Sequence, residues 1–71
     1  MKKPIGTIVG SNIKKLRQRR SITQEQLAEK IKTSYKYIQR IEGKSPPDIR
    51  LTTLGRISTA LEISPAKLLD E

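Results

Sequence analysis

The side chains of this chain that can do chemistry are hydrogen-bond donors rather than nucleophiles or metal ligands. There is no Cys and no His, so zinc, haem and thiol chemistry lack their usual ligands. The carboxylates are scattered along amphipathic segments, and no Gly-rich phosphate loop is present. These features point away from an enzyme and from any cofactor. What stands out is a set of cations and amides between residues 34 and 50. Lys36 and Arg40 can donate to O6 and N7 of guanine, and Arg can do so in bidentate fashion. Gln39 carries an amide of the same reach. Tyr35 can pack against a thymine methyl or donate to a phosphate. Lys44 and Arg50 suit phosphate contacts that carry no sequence information.

The charge agrees with that chemistry. Fifteen Lys and Arg oppose seven Asp and Glu in 71 residues, for a net charge of +8 and an isoelectric point near 10.2. Residues 1–50 hold thirteen basic and four acidic residues, whereas residues 51–71 hold two and three. A positive surface this lopsided suits a polyanion. The plain alternative is a set of solvated lysines that keeps a small domain soluble. No stretch approaches the ~20 apolar residues of a membrane span, and Met1-Lys2-Lys3-Pro4 leads into no apolar leader segment. The expected location is the cytoplasm, with no membrane partner. The absence of Cys fits a reducing compartment.

The positioning elements are helices. Val9, Ile13 and Leu16 follow i, i+4, i+7 and predict a first helix over Thr7–Arg20, after a short arm at residues 1–6. Thr7 and Ser11 are both possible caps. Thr23-Gln24-Glu25-Gln26 has the pattern of a capping box and opens a second helix over Gln24–Ile31, with Leu27, Ala28 and Ile31 inward. Lys32-Thr33 makes a tight turn. Ser34 caps a third helix ending at Glu42, with Ile38 and Ile41 inward and Gly43 as the stop. At about 100° per residue, Lys36 then points away from the core, Gln39 and Arg40 point outward, and Tyr35 and Tyr37 lie on the flanks. Thr33 is exposed at the entrance. Ser45-Pro46-Pro47-Asp48 breaks the helical run. Leu51, Leu54, Ile57 and Leu61 define a fourth helix, Leu51–Leu61. Ser64-Pro65 caps a fifth, Pro65–Leu69. The expected fold is one compact, all-α domain of five helices.

Two short helices joined by a tight turn suggest a helix-turn-helix over residues 24–42. The segment Thr23-Gln24-Glu25-Gln26-Leu27-Ala28 resembles the "(S/T)QxxLA" run of the phage repressor and Cro type, also called the XRE family. Ser34, Ile38, Ile41 and Glu42-Gly43-Lys44 resemble its third helix and exit. Val9-Gly10, Ile13 and Leu16-Arg17 look like its first helix. Leu54, Ile57, Ala60-Leu61-Glu62-Ile63-Ser64 and Leu68-Leu69 look like its ending. The resemblance spans about residues 6–70 and implies a lambda-repressor-like domain, residues 7–70, that binds double-stranded DNA.

The resemblance also implies roles. The family's base-reading positions fall on Ser34, Tyr35, Lys36 and Arg40, to which the helical wheel adds Gln39. Its backbone-contacting positions fall on Gln24, Tyr37 and the loop after the third helix, with Thr33 beside them. A Gln24 at a helix start can set its amide on a phosphate, or only stabilise its own helix. Tyr37 divides between core packing and phosphate contact. Arg17 and Glu42 match a family pair that joins the first helix to the third, and are read as structural.

Two departures stand out: Lys32 occupies the turn position that is usually Gly, and Glu42 directly precedes Gly43, one residue short of the common exit. The resemblance implies a transcriptional regulator, acting as a repressor, that binds a two-fold operator as a homodimer, with no small-molecule substrate. Ile63, Leu68 and Leu69 either form an apolar dimer contact or close the monomer core. The competing reading is an antitoxin-like or other protein-interaction module with accessory DNA binding.

Overall fold

The computed structural model describes residues 3–71; the first two residues of the arm expected over 1–6 lie outside the described residues. Four α-helices follow in order: α1 (Ile5–Arg19), α2 (Gln24–Lys30), α3 (Tyr35–Ile41) and α4 (Leu51–Ala60). A single 3-10 turn, Pro65–Leu68, takes the place of the expected fifth helix. Its four residues close i→i+3 bonds, Lys67 N to Ser64 O at 3.0 Å and Leu69 N to Ala66 O at 3.1 Å. A segment this short gains little from the longer α-helical register.

The helical stripes meet in one core. Val9 and Ile13 of α1, Leu27 and Ala28 of α2, Ile38 and Ile41 of α3, and Leu54 and Ile57 of α4 are all buried, together with Ile31, Leu61 and Leu68. Burying a side chain of this kind contributes about 1.5–3 kcal/mol relative to exposure. Leu51 departs from the expected stripe and is 84% exposed. It lies about 90° from the direction shared by Leu54, Ile57 and Leu61 on a 100° wheel, in the first turn, beyond the edge of the core. Leu68 closes the monomer core, Ile63 packs half-buried against it, and Leu69 stays exposed.

Helix starts and stops explain the differences at the boundaries. Neither Thr7 nor Ser11 caps α1; both lie inside it. Pro4 is the cap residue, and its carbonyl accepts from Thr7 N at 3.0 Å and Ile8 N at 3.2 Å. Proline pre-sets the φ angle and has no N–H to leave orphaned, so α1 begins two residues inside the span expected to be an arm. Thr23 forms a complete capping box: its Oγ1 accepts from Gln26 N at 3.0 Å, and its N–H donates to Gln26 Oε1 at 2.8 Å. Ser34 Oγ accepts from Tyr37 N at 3.1 Å and caps α3.

Three helices end in the same way, and none uses glycine. Ser21, Lys32 and Glu62 have φ of 56°, 57° and 56°. Each follows a helix cap, with the paired backbone bonds of a Schellman motif. At α2 these are Lys32 N to Glu29 O at 3.2 Å and Thr33 N to Ala28 O at 2.9 Å. Gly43, expected to be the left-handed stop of α3, does not have a positive φ. The left-handed strain therefore falls on side-chain-bearing residues, at roughly 1–2 kcal/mol each. Lys32→Gly is expected to raise stability by about 0.5–1 kcal/mol, the steric relief exceeding the extra unfolded-chain entropy of glycine. Urea unfolding, read as a shift in midpoint at constant slope, checks this; a lower midpoint would show that the Lys32 side chain contributes more than its strain removes.

Two polar side chains tie distant segments together. Asn12 Nδ2 donates to Leu68 O at 3.0 Å and to Asp70 O at 2.6 Å, fastening the C-terminal turn to α1. The Arg56 guanidinium donates to the carbonyl of Ile31, the cap residue of α2.

Candidate nucleic-acid interface

α2 and α3 pack on each other and share the core through Leu27, Ala28, Ile38 and Ile41. With both helix starts capped by side chains, the turn between them is short and defined. Lys32 takes the left-handed position, and Thr33, expected to be exposed, is half-buried with its N–H turned back to α2. The geometry of this turn decides which face of α3 is presented to solvent.

That face carries Lys36, Gln39 and Arg40, all exposed, flanked by Ser34 and Tyr35. Tyr35 is 44% exposed, and its hydroxyl accepts from Gln39 Nε2 at 3.0 Å. Tyr37 turns toward the interior, half-buried against the core; packing is its main contact in the structure. Lys44 and Arg50 lie exposed in the loop between α3 and α4, with Arg50 as the cap residue of α4. Among the described residues the ion pairs are Arg17–Glu42 and Arg20–Glu62. Lys36, Arg40, Lys44 and Arg50 therefore have no carboxylate partner there, and their charge is available to an anion.

Behind this face lies a buried polar cluster that holds α3 in place. Arg17 Nε donates to Glu42 Oε2 at 2.8 Å and Arg17 Nη2 to Glu42 Oε1 at 2.9 Å, a bidentate pair. Arg17 Nη1 donates to Ile22 O at 2.8 Å. The two side chains are 9% and 2% exposed. The hydrogen bonds that Arg17 donates to Glu42 raise the Arg17 pKa above its usual value, against the opposing effect of burial and with the attraction of the same carboxylate. The pair was expected, but a third member was not. Gln24 Nε2 donates to Glu42 Oε1 at 2.9 Å. Gln24, expected to reach a phosphate, thus has one amide hydrogen committed to the protein and one left over. Glu42 stands eighteen residues beyond Gln24, and no local pattern links them.

Gly10 was also missed as a positioning residue. It is buried where α1 crosses the end of α3, and a Cβ built there would lie 2.1 Å from the carbonyl oxygen of Ile41. The two backbones touch without a side chain between them. Two turns further along the same face of α1, Arg17 reaches Glu42. The end of α3 is therefore held by a backbone contact and by a charged clamp.

Other kinds of site find little support among the described residues. No group of three or more His, Cys, Asp or Glu is placed to hold a metal ion. No helix is long and apolar enough to cross a membrane.

The comparisons with known proteins agree with this geometry. A family model described as "Helix-turn-helix" matches residues 13–68. No curated protein matches the sequence significantly. Among solved structures, a hypothetical transcription factor from Neisseria superposes with a TM-score of 0.87 at 21% identity, covering 94% of this chain and 76% of its own; at that identity it supports the lambda-repressor-like fold alone. The restriction-modification controller protein C.AhdI from Aeromonas hydrophila superposes with a TM-score of 0.82 at 25% identity, over 89% of this chain and 94% of its own. SinR, the master regulator for biofilm formation, was solved in complex with DNA. It superposes with a TM-score of 0.81 at 29% identity, over 87% and 98%.

Proposed function

The chain belongs to the helix-turn-helix family, and on that premise we propose that it is a sequence-specific transcriptional regulator, acting as a repressor, that reads the major groove of double-stranded DNA with α3. Its family is one of transcription factors, not enzymes. The observation that carries the reading is the outward face of α3. Lys36, Gln39 and Arg40 are exposed there, the two cations have no carboxylate partner among the described residues, and the helix bearing them is locked from behind by Arg17 and Glu42. Donors on a fixed helix suit base edges, while Lys44, Arg50 and the second amide hydrogen of Gln24 suit phosphates. Ser34 remains a candidate for base contact: its oxygen caps α3, and its hydroxyl hydrogen is still free to donate. Likeness to SinR, solved with DNA, and to a controller protein supports the same assignment. The place of work that follows is the cytoplasm.

The protein would bind as a homodimer, with half-sites about one helical turn apart. An apolar patch supports this. Ile5, Leu51 and Leu69, at 60%, 84% and 47% exposure, line one cleft together with Val9 and Pro47, and Asp48 is the charged residue there. On a chain of net charge +8, a cleft with no Lys or Arg in its lining lets two copies approach there with less repulsion. A stable interface buries ~800 Å² per partner, more than three exposed apolar side chains supply, so the dimer would be weak in solution and completed on DNA.

Selection of duplexes from a random library, at two salt concentrations, tests the reading. The expected result is a two-fold motif containing guanine. Salt-sensitive binding with no enriched motif would leave only a phosphate footprint and turn attention to a protein partner. Arg40→Ala is expected to weaken binding to the selected operator by roughly tenfold or more, and to random duplex by much less. Fluorescence anisotropy on both duplexes measures the difference; equal losses would move Arg40 to the phosphate-contacting class.

A further inference from the structure

Tyr35 and Gln39 stand one turn apart on the exposed side of α3, and Gln39 Nε2 donates to the Tyr35 hydroxyl at 3.0 Å. A lone exposed glutamine has a freely turning amide, which can present its oxygen or its NH₂ group to any base. Here one amide hydrogen is occupied and the plane is fixed by a neighbour on the same rigid helix. What the amide still offers is one acceptor, Oε1, and one donor, the second hydrogen on Nε2. On the wheel of α3, Gln39 lies between Tyr35 and Lys36, and Arg40 lies on the far side of Lys36. The reading face therefore has an amide edge and a cationic edge.

We infer that the Tyr35–Gln39 pair is an adenine-reading unit, in which Tyr35 positions the Gln39 amide to accept from adenine N6 and donate to N7. This rests on the DNA-binding reading above. In the major groove adenine alone presents a donor and an acceptor side by side on one base in this way. Guanine presents two acceptors, N7 and O6, and would face the Gln39 oxygen with a repulsive contact. Thymine offers an acceptor and a methyl group, and cytosine offers a donor with no adjacent acceptor. Holding the amide in advance removes the ordering cost that a mobile side chain meets on binding, so discrimination is larger than Gln39 alone would provide. Lys36 and Arg40 favour guanine, so each half-site would carry an adenine beside a guanine.

The test uses the full chain and the operator obtained from library selection. Adenine at one position beside the guanine is the expected enrichment. Replacing that adenine by guanine, or by 7-deazaadenine, which lacks N7, should weaken binding by roughly tenfold. Gln39→Ala should erase the preference at that position alone. Tyr35→Phe keeps the ring and removes the hydroxyl, and should reduce adenine discrimination several-fold while leaving guanine discrimination and the melting temperature unchanged. A purely structural Tyr35 would leave the base ratio unmoved. An enriched motif without that adenine, or a Tyr35→Phe variant with undiminished adenine preference, overturns the inference and leaves the DNA-binding reading standing. No enriched motif at all overturns both.

Discussion

Replacing Gly10 with alanine is expected to destabilise the domain by about 3 kcal/mol, the upper part of the usual range for forcing a methyl group into a packed interior. The added Cβ would stand 2.1 Å from the carbonyl oxygen of Ile41 and 3.2 Å from its carbonyl carbon. Both are backbone atoms, so no side-chain rotation relieves the contact. Either α1 shifts outward or the end of α3 does. An outward shift of α1 would draw Val9 and Ile13 from the core and pull Arg17 away from Glu42. A domain of this size loses roughly 4–8 °C of melting temperature per kcal/mol, so circular dichroism should show a fall of about 15 °C. Gly55→Ala is the matched control. Its Cβ would meet no atom within 4 Å, and alanine is favoured over glycine inside a helix by up to about 1 kcal/mol. Equal melting of the two variants would remove the close approach of α1 and α3 from this account.

Gly10 also shows what the sequence could not reveal. Periodicity located every helix, because a buried stripe repeats within one segment: Leu27, Ala28 and Ile31 are read from their own spacing, and all three are buried. Capping patterns are equally local, and Thr23 and Ser34 do what their positions imply. The approach of Gly10 to Ile41 spans thirty-one positions, and a glycine in a helical run carries no sign of what lies across from it. The same holds for Gln24. Its place at a helix start suggested a phosphate contact, but its bond to Glu42 depends on how α3 ends against α2.

Local rules failed where two local preferences competed. At the start of α1, Thr7 and Ser11 are better side-chain caps than proline, yet Pro4 starts the helix two residues sooner and lets Ile5 join it. At the helix ends, glycine is the usual left-handed residue, yet Ser21, Lys32 and Glu62 take that conformation while Gly43 does not. The backbone bonds of three Schellman motifs hold them there. The outward face of α3 was legible for a different reason: Ile38 and Ile41 fix the buried direction, and Lys36, Gln39 and Arg40 then have nowhere to point but outward. Tyr37, on the flank, is left undecided by the wheel, and the structure half-buries it against the core.

Glu42→Ala is expected to cost about 3–5 kcal/mol, the range for breaking a buried ion pair from one side. Arg17, with 8% of its surface exposed, would keep its charge without the carboxylate that holds two of its donors, and Gln24 would lose its acceptor. Glu42→Gln keeps the shape and one acceptor oxygen, so its loss should be smaller. Replacing both partners by apolar residues, Arg17→Met with Glu42→Leu, should recover much of the loss, because the expensive state is the uncompensated charge rather than the absence of the pair. A double-mutant cycle on chemical unfolding would read the coupling directly; additive single losses would mean the two groups act independently. The sign with pH follows from the raised Arg17 pKa. Its contribution is present below the unfolded-state value and is lost only as pH rises past the folded one, so moderately alkaline buffer should leave it intact. The cluster and the reading face can then be separated: Arg40→Ala changes base discrimination at constant melting temperature, whereas Glu42→Ala lowers the melting temperature, and any change in DNA affinity comes through the loosened end of α3.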